Sequence, residues 1–284
     1  MSVSSAFGKG RPALMPYFTL GYPDDETSLD VVAACAAAGA DALELGIPFS
    51  DPLADGPTIQ HSTQVALQHG MTTRRCLDAV AELRRRGVRV PLVLMGYLNP
   101  ILAYGLDAFV ADAARAGADG FIVPDLPPDE AGEMQAACRH HGLDLVFLLA
   151  PNSPPDRMRP VTEQSRGFVY LVSVTGVTGA RERLPAHLEA FVRRVRAVTD
   201  KPLAVGFGIS TPQQAAAVGR LADGVIVGSA LIRAVEGSPR PAEAAAAFVQ
   251  SMKTGMKASP PPSSPPEVPG KNAARQTDAP AAPK

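Results

Sequence analysis

Short apolar runs alternate with longer amphipathic stretches along most of the chain. Runs at 14–20, 42–46, 92–96, 120–123, 145–149, 168–172, 203–206 and 224–227 are each too short for a stable helix and are bounded by Gly, Pro or Asp. The segments between them are rich in Ala, Arg and Glu and read as helices. This alternation predicts repeated βα units around a parallel sheet, and eight of them predict an α/β fold, a closed (β/α)8 TIM barrel forming a single domain over 1–253.

An internal echo supports the repeat. Ala38-Gly39-Ala40-Asp41, Ala116-Gly117-Ala118-Asp119 and Leu221-Ala222-Asp223-Gly224 each end a helix and launch a strand. Gly39 and Gly117 suit the left-handed position just past a helix. Asp41, Asp119 and Asp223 then fall on the bottom face of a barrel, where side chains serve stability. From Thr254 the composition turns to Pro-Ser-Pro and Ala-Pro, with almost no large apolar residue after Met256. A segment with so little to bury cannot offset the entropy of ordering itself, so 254–284 is expected to be a disordered Pro/Ala/Ser-rich tail.

The charge balance, 27 basic against 28 acidic residues, disfavours a polybasic nucleic-acid binder and favours small or neutral partners. Cys35, Cys76 and Cys138 lie far apart in Ala-rich helical patterns and read as reduced core residues. The N-terminal stretch lacks the apolar core of a signal peptide and no run approaches a membrane span. A soluble, cytoplasmic protein is expected.

Two constellations carry candidate chemistry. In the second predicted strand side chains alternate, so Leu43 and Leu45 face the helices while Ala42, Glu44 and Gly46 face the barrel interior. Glu44 then sits near the C-terminal mouth, where barrel active sites lie. Burial there raises its pKa toward the range useful for proton transfer; hydrogen bonding to backbone or to a core tyrosine is the structural alternative. The loop from Ile47 to Gly56, bracketed by Pro48, Pro52 and Pro57, brings Asp51 and Asp55 back over the same mouth. Asp51 before Pro52 suits a turn, and Asp55 before Gly56 suits either a turn or a second catalytic acid.

The other constellation follows the last two strands. Gly206-Phe207-Gly208-Ile209-Ser210-Thr211-Pro212 enters a helix with Ser210 or Thr211 as N-cap, and Gly228-Ser229 repeats the pattern after the eighth strand. Glycines let backbone N–H groups approach an anion, and phosphate sites after strands seven and eight recur in this architecture. The small-residue loop Ser173 to Arg181 after the sixth strand looks like a lid, with Gly179 completing the cradle.

Of the six lysines, Lys201 alone adjoins a strand, on the face away from the mouth. A Schiff-base aldolase needs a lysine inside the barrel. None of the five histidines is placed at a strand exit or at metal-binding spacing, so no metal site is expected. Carbon–carbon cleavage on this scaffold must use the substrate as its own electron sink.

The segments Phe18-Thr19-Leu20-Gly21, 43–60, 170–179, 206–210 and Gly228-Ser229 resemble the tryptophan synthase alpha chain family over roughly residues 12–250, most specifically at 43–60. The resemblance implies retro-aldol cleavage of indole-3-glycerol phosphate to indole and glyceraldehyde 3-phosphate, the alpha reaction of the last step of L-tryptophan biosynthesis. It assigns Glu44 as general acid/base and Asp55 as acceptor of the indole N–H. Tyr17, where the family commonly has Phe, Ile59, Tyr170 and Thr178 would form the indole pocket and lid, while Gly179, Phe207, Gly208, Gly228 and Ser229 would hold the phosphate. For Tyr97 it leaves a one-residue choice open in the segment Gly96 to Pro100. It further implies no cofactor in this chain, and an α2β2 heterotetramer with a beta chain that carries pyridoxal phosphate and receives indole through a tunnel.

Two alternatives share parts of this pattern. A sugar-phosphate isomerase or epimerase would also use paired carboxylates and a phosphate cradle, but the apolar lining by Tyr17, Ile59, Tyr170 and Phe207 suits indole better. A catalytically idle regulatory subunit would not need both acids.

Overall fold

The computed structural model describes residues 2–172, 186–206 and 208–257. The strands are β1 (Ala13–Thr19), β2 (Leu43–Gly46), β3 (Leu92–Met95), β4 (Gly120–Ile122), β5 (Asp144–Val146), β6 (Leu148–Leu149), β7 (Val169–Val172), β8 (Leu203–Gly206) and β9 (Gly224–Val227). The early helices are α1 (Asp25–Ala37), α2 (Pro57–Gln68), α3 (Thr73–Arg85), α4 (Leu98–Tyr104), α5 (Leu106–Ala116) and α6 (Gly132–His141). They are followed by α7 (Pro155–Gln164), α8 (Ala186–Arg196), α9 (Pro212–Gly219), α10 (Ser229–Val235) and α11 (Pro241–Lys257). No helix among the described residues is long and apolar enough to cross a membrane.

Every strand pair is parallel, in the order β5-β4-β3-β2-β1-β9-β8-β7-β6. The fifth expected strand is divided: β5 pairs with β4, β6 pairs with β7, and Phe147 is the joint between them. Its N–H donates to Ser165 Oγ at 3.0 Å, and its carbonyl accepts from Tyr170 N–H at 3.0 Å. The chain changes partners there, and this single broken strand closes the (β/α)8 TIM barrel.

Period-two alternation sorts the core into two layers. Ala13, Met15, Ala42, Val93, Ile122, Val146, Ala204 and Ile226 fill the barrel, while Leu14, Phe18, Leu43 and Leu45 pack outward under the helices. A 3-10 helix, Val3–Ala6, stops the bottom of the barrel with Val3, Ala6 and Phe7.

The strand-entrance acids hold the bottom face together. Asp41 accepts Leu14 N–H at 3.0 Å and two bonds from Arg11 at 2.7 Å. Asp119 accepts Leu92 N–H at 2.9 Å and pairs with Arg84, and Asp223 accepts Leu203 N–H at 2.8 Å and pairs with Arg196. Each carboxylate thus ties a neighbouring strand to an arginine. Asp144, at the entrance of β5, does the same for the 3-10 helix through Val3 N–H at 2.9 Å. Gly39 and Gly117 take positive φ, +98° and +96°, as expected at helix ends.

The expected start of the tail at Thr254 falls inside α11, which continues to Lys257. Met256 is buried, and Gly255 lies so close to Pro212 that a Cβ there would come within 2.6 Å of it. Residues 258–284 lie outside the described residues.

Candidate active site

The site forms where β1, β2, β7, β8 and β9 end. Glu44 points into the barrel, 1% exposed, with Oε2 buried and without a hydrogen-bond partner. Burial, reinforced by the negative charge of Asp55, pushes its carboxyl up to about 8 from 4.5. The neutral form is therefore the majority at pH 7.

Asp55 reaches the same mouth from the loop after β2. Burial raises it from 3.8 to about 6, and a hydrogen bond from Tyr97 Oη to its Oδ2 at 3.0 Å limits the rise. The same Tyr97 oxygen accepts Ala54 N–H at 3.0 Å, so one phenol clamps the loop by backbone and side chain. Tyr97 stands just before α4, where Asp125 caps Leu98 N–H at 3.0 Å. Of the segment Gly96 to Pro100, it is Tyr97 that the structure places against Ala54 and Asp55. Asp51, by contrast, is exposed and accepts a hydrogen bond from its neighbour Ser50 Oγ at 2.5 Å.

Two tyrosines lie across the opening, each over a glycine that ends a strand. Tyr17 is the register partner of Glu44, and its hydroxyl rests against Gly46 so closely that a Cβ there would overlap it. The same ring touches Gly228, where a Cβ would meet it at 3.2 Å. Tyr170 rests against Gly206 in the same way, its hydroxyl filling the place of a Cβ. Burial raises the pKa of both phenols well above the usual value, and the charges of Glu44 and Asp55 raise both further. The acids and the glycine turns therefore open into one mouth.

On the cradle side, Thr211 is the N-cap of α9 in a capping box with Gln214, and Pro212 opens the helix. Gly208 takes φ +70° with nothing near the point where a Cβ would stand, so the turn presents bare backbone. Gly228 precedes α10 without any side-chain cap on that helix, and Ser229 is its first residue. Ile59, on α2, packs against the core and accepts a hydrogen bond from Ser62 on its carbonyl. Thr178, Gly179, Phe207 and the lid expected from Ser173 to Arg181 lie outside the described residues.

Lys201 Nζ donates to the carbonyls of Glu163 and Ser165 at 2.7 and 2.6 Å, on the bottom face. Among the described residues no group of three or more His, Cys, Asp or Glu side chains is arranged to hold a metal. One contact was not anticipated from the sequence: Thr19, inward-facing like Tyr17, is hydrogen-bonded to Ser62 of α2 at 2.7 Å. Its spacing of two from Tyr17 was the available signal.

Comparison with known proteins agrees with this geometry. The family model described as "Tryptophan synthase alpha chain" matches residues 3–260. A tryptophan synthase alpha chain of Roseiflexus sp. (strain RS-1) is 52% identical over 246 residues, 86% of this chain and 94% of the relative. The solved structure of Mycobacterium tuberculosis tryptophan synthase superposes with a TM-score of 0.81 at 44% identity, covering 87% of this chain and 93% of that one. That of tryptophan synthase subunit alpha from Legionella pneumophila str. Paris gives 0.79 at 40%, with coverage of 87% and 93%. A barrel with one buried and one half-buried acid at its mouth and a family match spanning nearly the whole barrel lead to one assignment: the chain belongs to the tryptophan synthase alpha chain family.

Proposed function

We propose that Glu44 and Asp55 divide the proton chemistry of the alpha reaction between them. The protein is a carbon–carbon lyase that cleaves indole-3-glycerol phosphate to indole and glyceraldehyde 3-phosphate. What supports the division of roles is the unequal ionisation of the two acids, about 8 for Glu44 and about 6 for Asp55. Two carboxyls pushed apart in this way supply an acid and an anion at the same pH.

Neutral Glu44 delivers a proton to the indole C3, which makes the ring an indoleninium cation. Ionised Asp55 accepts the ring N–H and stabilises that cation. The bond from C3 to the glycerol side chain then breaks, its electrons return to the ring nitrogen system, and the adjacent hydroxyl becomes the aldehyde. Glu44, now a carboxylate, takes the hydroxyl proton. One proton is given and one recovered, so the residue ends as it began. The ring nitrogen is the electron sink, and the cleavage calls for no cofactor held by this chain.

In this reading Tyr17, Ile59, Tyr170 and Thr178 enclose the indole, and Gly179, Phe207, Gly208, Gly228 and Ser229 hold the phosphate. The contact of Tyr17 with Gly228 and of Tyr170 with Gly206, two phenols that the charges of Glu44 and Asp55 reach, supports a phosphate bound at the same mouth as the acids. A beta chain carrying pyridoxal phosphate is the partner, in an α2β2 assembly, and its docking surface includes Leu53 and Leu102. Both are exposed, at 91% and 53%, beside the mouth on the loop after β2 and on α4. Leu53 is two residues from Asp55, which makes catalysis sensitive to docking.

The experiment is indole formation from indole-3-glycerol phosphate by the purified chain, with and without a beta chain. Slow release alone and faster release with the partner are expected. No indole under either condition rejects the lyase reading, and equal rates reject the coupling.

A further inference from the structure

The loop that carries Asp55 leaves β2 after Gly46 and returns at the first turn of α2, which begins at Pro57. Both ends of it meet the same residue of β1. Thr19 is the register partner of Gly46, and its Oγ1 lies 2.7 Å from Ser62 Oγ on α2. Thr19 and Ser62 are both fully buried. Ser62 Oγ gives its single proton to the Ile59 carbonyl at 2.9 Å, so the proton between the two hydroxyls comes from Thr19.

The N-cap of α2 is Gly56, which offers no side-chain cap, so the start of this helix depends on what holds it from outside. Two exposed contacts reach it from α10: Arg233 Nη1 donates to Thr58 Oγ1 at 3.2 Å, and His61 Nε2 lies 3.7 Å from Glu236. Exposed contacts of this kind contribute little. The bond between Thr19 and Ser62 is the buried one, and losing either hydroxyl takes a hydrogen-bond partner from the other where water does not replace it. The turn fixed in this way holds the acid, because Gln60 Nε2 donates to the carbonyl of Asp55 at 2.8 Å.

We propose that Thr19 and Ser62 are positioning residues for Asp55: their buried hydrogen bond pins the first turn of α2 to β1, and Gln60 passes that placement on to the acid. The contacts are present without substrate; their use in catalysis rests on the lyase reading above.

The test compares Thr19→Val, which keeps the side-chain shape and removes the hydroxyl, with Thr19→Ser, which keeps the hydroxyl. Amide hydrogen exchange in the full chain reads the placement directly. The N–H groups of Ala54, bonded to Tyr97 Oη, and of Gln60, bonded to the Gly56 carbonyl, should exchange about five- to tenfold faster in Thr19→Val, the equivalent of one neutral hydrogen bond. The N–H of Leu203, bonded to Asp223 on the bottom face, serves as the reference for any general loss of stability. In the assay of indole formation, kcat should fall by about tenfold in Thr19→Val and stay within about twofold of the parent in Thr19→Ser. Inhibition by inorganic phosphate should be unchanged in both, because the phosphate turns are not carried by α2. Ser62→Ala breaks the same bond from the other side and replaces Thr19→Val if that variant does not fold. Unchanged exchange at Ala54 and Gln60 relative to Leu203, or an unchanged kcat in Thr19→Val, overturns the proposal. If the parent releases no indole, the lyase reading fails, while the exchange rates still decide whether the hydroxyl pair places the loop.

Discussion

Replacing Glu44 by Gln should make the fold less sensitive to alkali. In the folded chain the Glu44 carboxyl is raised from 4.5 to about 8, first by burial and then by Asp55. Between those pH values the folded state keeps a proton that the unfolded chain has released, so stability falls as pH rises. Below 4.5 both states are protonated and the penalty vanishes. At pH 7, about 2.5 pH units above the unfolded value, the penalty is roughly 3 kcal/mol, and at pH 5 it is under about 1 kcal/mol. The Glu44→Gln substitution removes this dependence but leaves an amide in a site where one carboxyl oxygen had no partner, a pH-independent cost of about 1–3 kcal/mol. The informative quantity is therefore the change in the stability difference with pH, not its size at one pH. Asp55 contributes its own pH dependence to both proteins, which largely cancels. The chain has no tryptophan, so urea unfolding is followed by far-UV circular dichroism at about pH 5, 6, 7 and 8. The variant should gain about 2 kcal/mol relative to the parent between pH 5 and 7. Parallel curves across that range would show that Glu44 is ionised in the folded protein and would remove the basis for its role as an acid.

Tyr97→Phe deletes the hydrogen bond that restrains Asp55, so Asp55 should titrate higher. The acid limb of the pH profile for indole formation then moves up by about 0.5–1 pH unit. Gly206→Ala would drive a Cβ into the Tyr170 hydroxyl. Thermal unfolding should register a loss of about 1–3 kcal/mol, of which Tyr170→Phe in the same chain restores only part. At the opposite face, Asp119→Ala leaves Arg84 only its backbone carbonyl partners with no balancing charge, removes the acceptor of the Leu92 N–H, and should cost about 3 kcal/mol in chemical unfolding. Its kcat at a temperature where the variant is folded should match the parent, because Asp119 sits at the far end of the barrel from the chemistry.

What the sequence made legible followed from local rules. Alternation along β2 sends Leu43 and Leu45 outward and Glu44 inward, and the chain obeys because a slip of one residue would bury the wrong face. The repeated Asp at strand entrances was readable because each serves a neighbouring strand in the same way. The features not foreseen are non-local. Residues 145–149 read as one apolar run, and only pairing with β4 on one side and β7 on the other divides it at Phe147. Val3, Ala6 and Phe7 show no helical or strand period, yet they plug the barrel because they happen to meet Phe168 and its layer. The polar look of residues 253–257 hid a helix whose Met256 is buried and whose Gly255 permits close approach to Pro212. In the site, Glu44 and Asp55 stood out as acids near a strand exit. The link from Thr19 to Ser62, separated by 43 residues, could be seen only once α2 was packed against β1.

The most direct test of the paired-acid account is a crystal structure of the Asp55→Asn protein, slowed in turnover, with indole-3-glycerol phosphate bound. The account requires the phosphate on the backbone turns at Gly208 and Gly228-Ser229, the ring N–H directed at the substituted side chain, and the indole C3 and its neighbouring hydroxyl within reach of Glu44. A phosphate bound elsewhere, or an indole ring turned so that Glu44 meets neither atom, would contradict it.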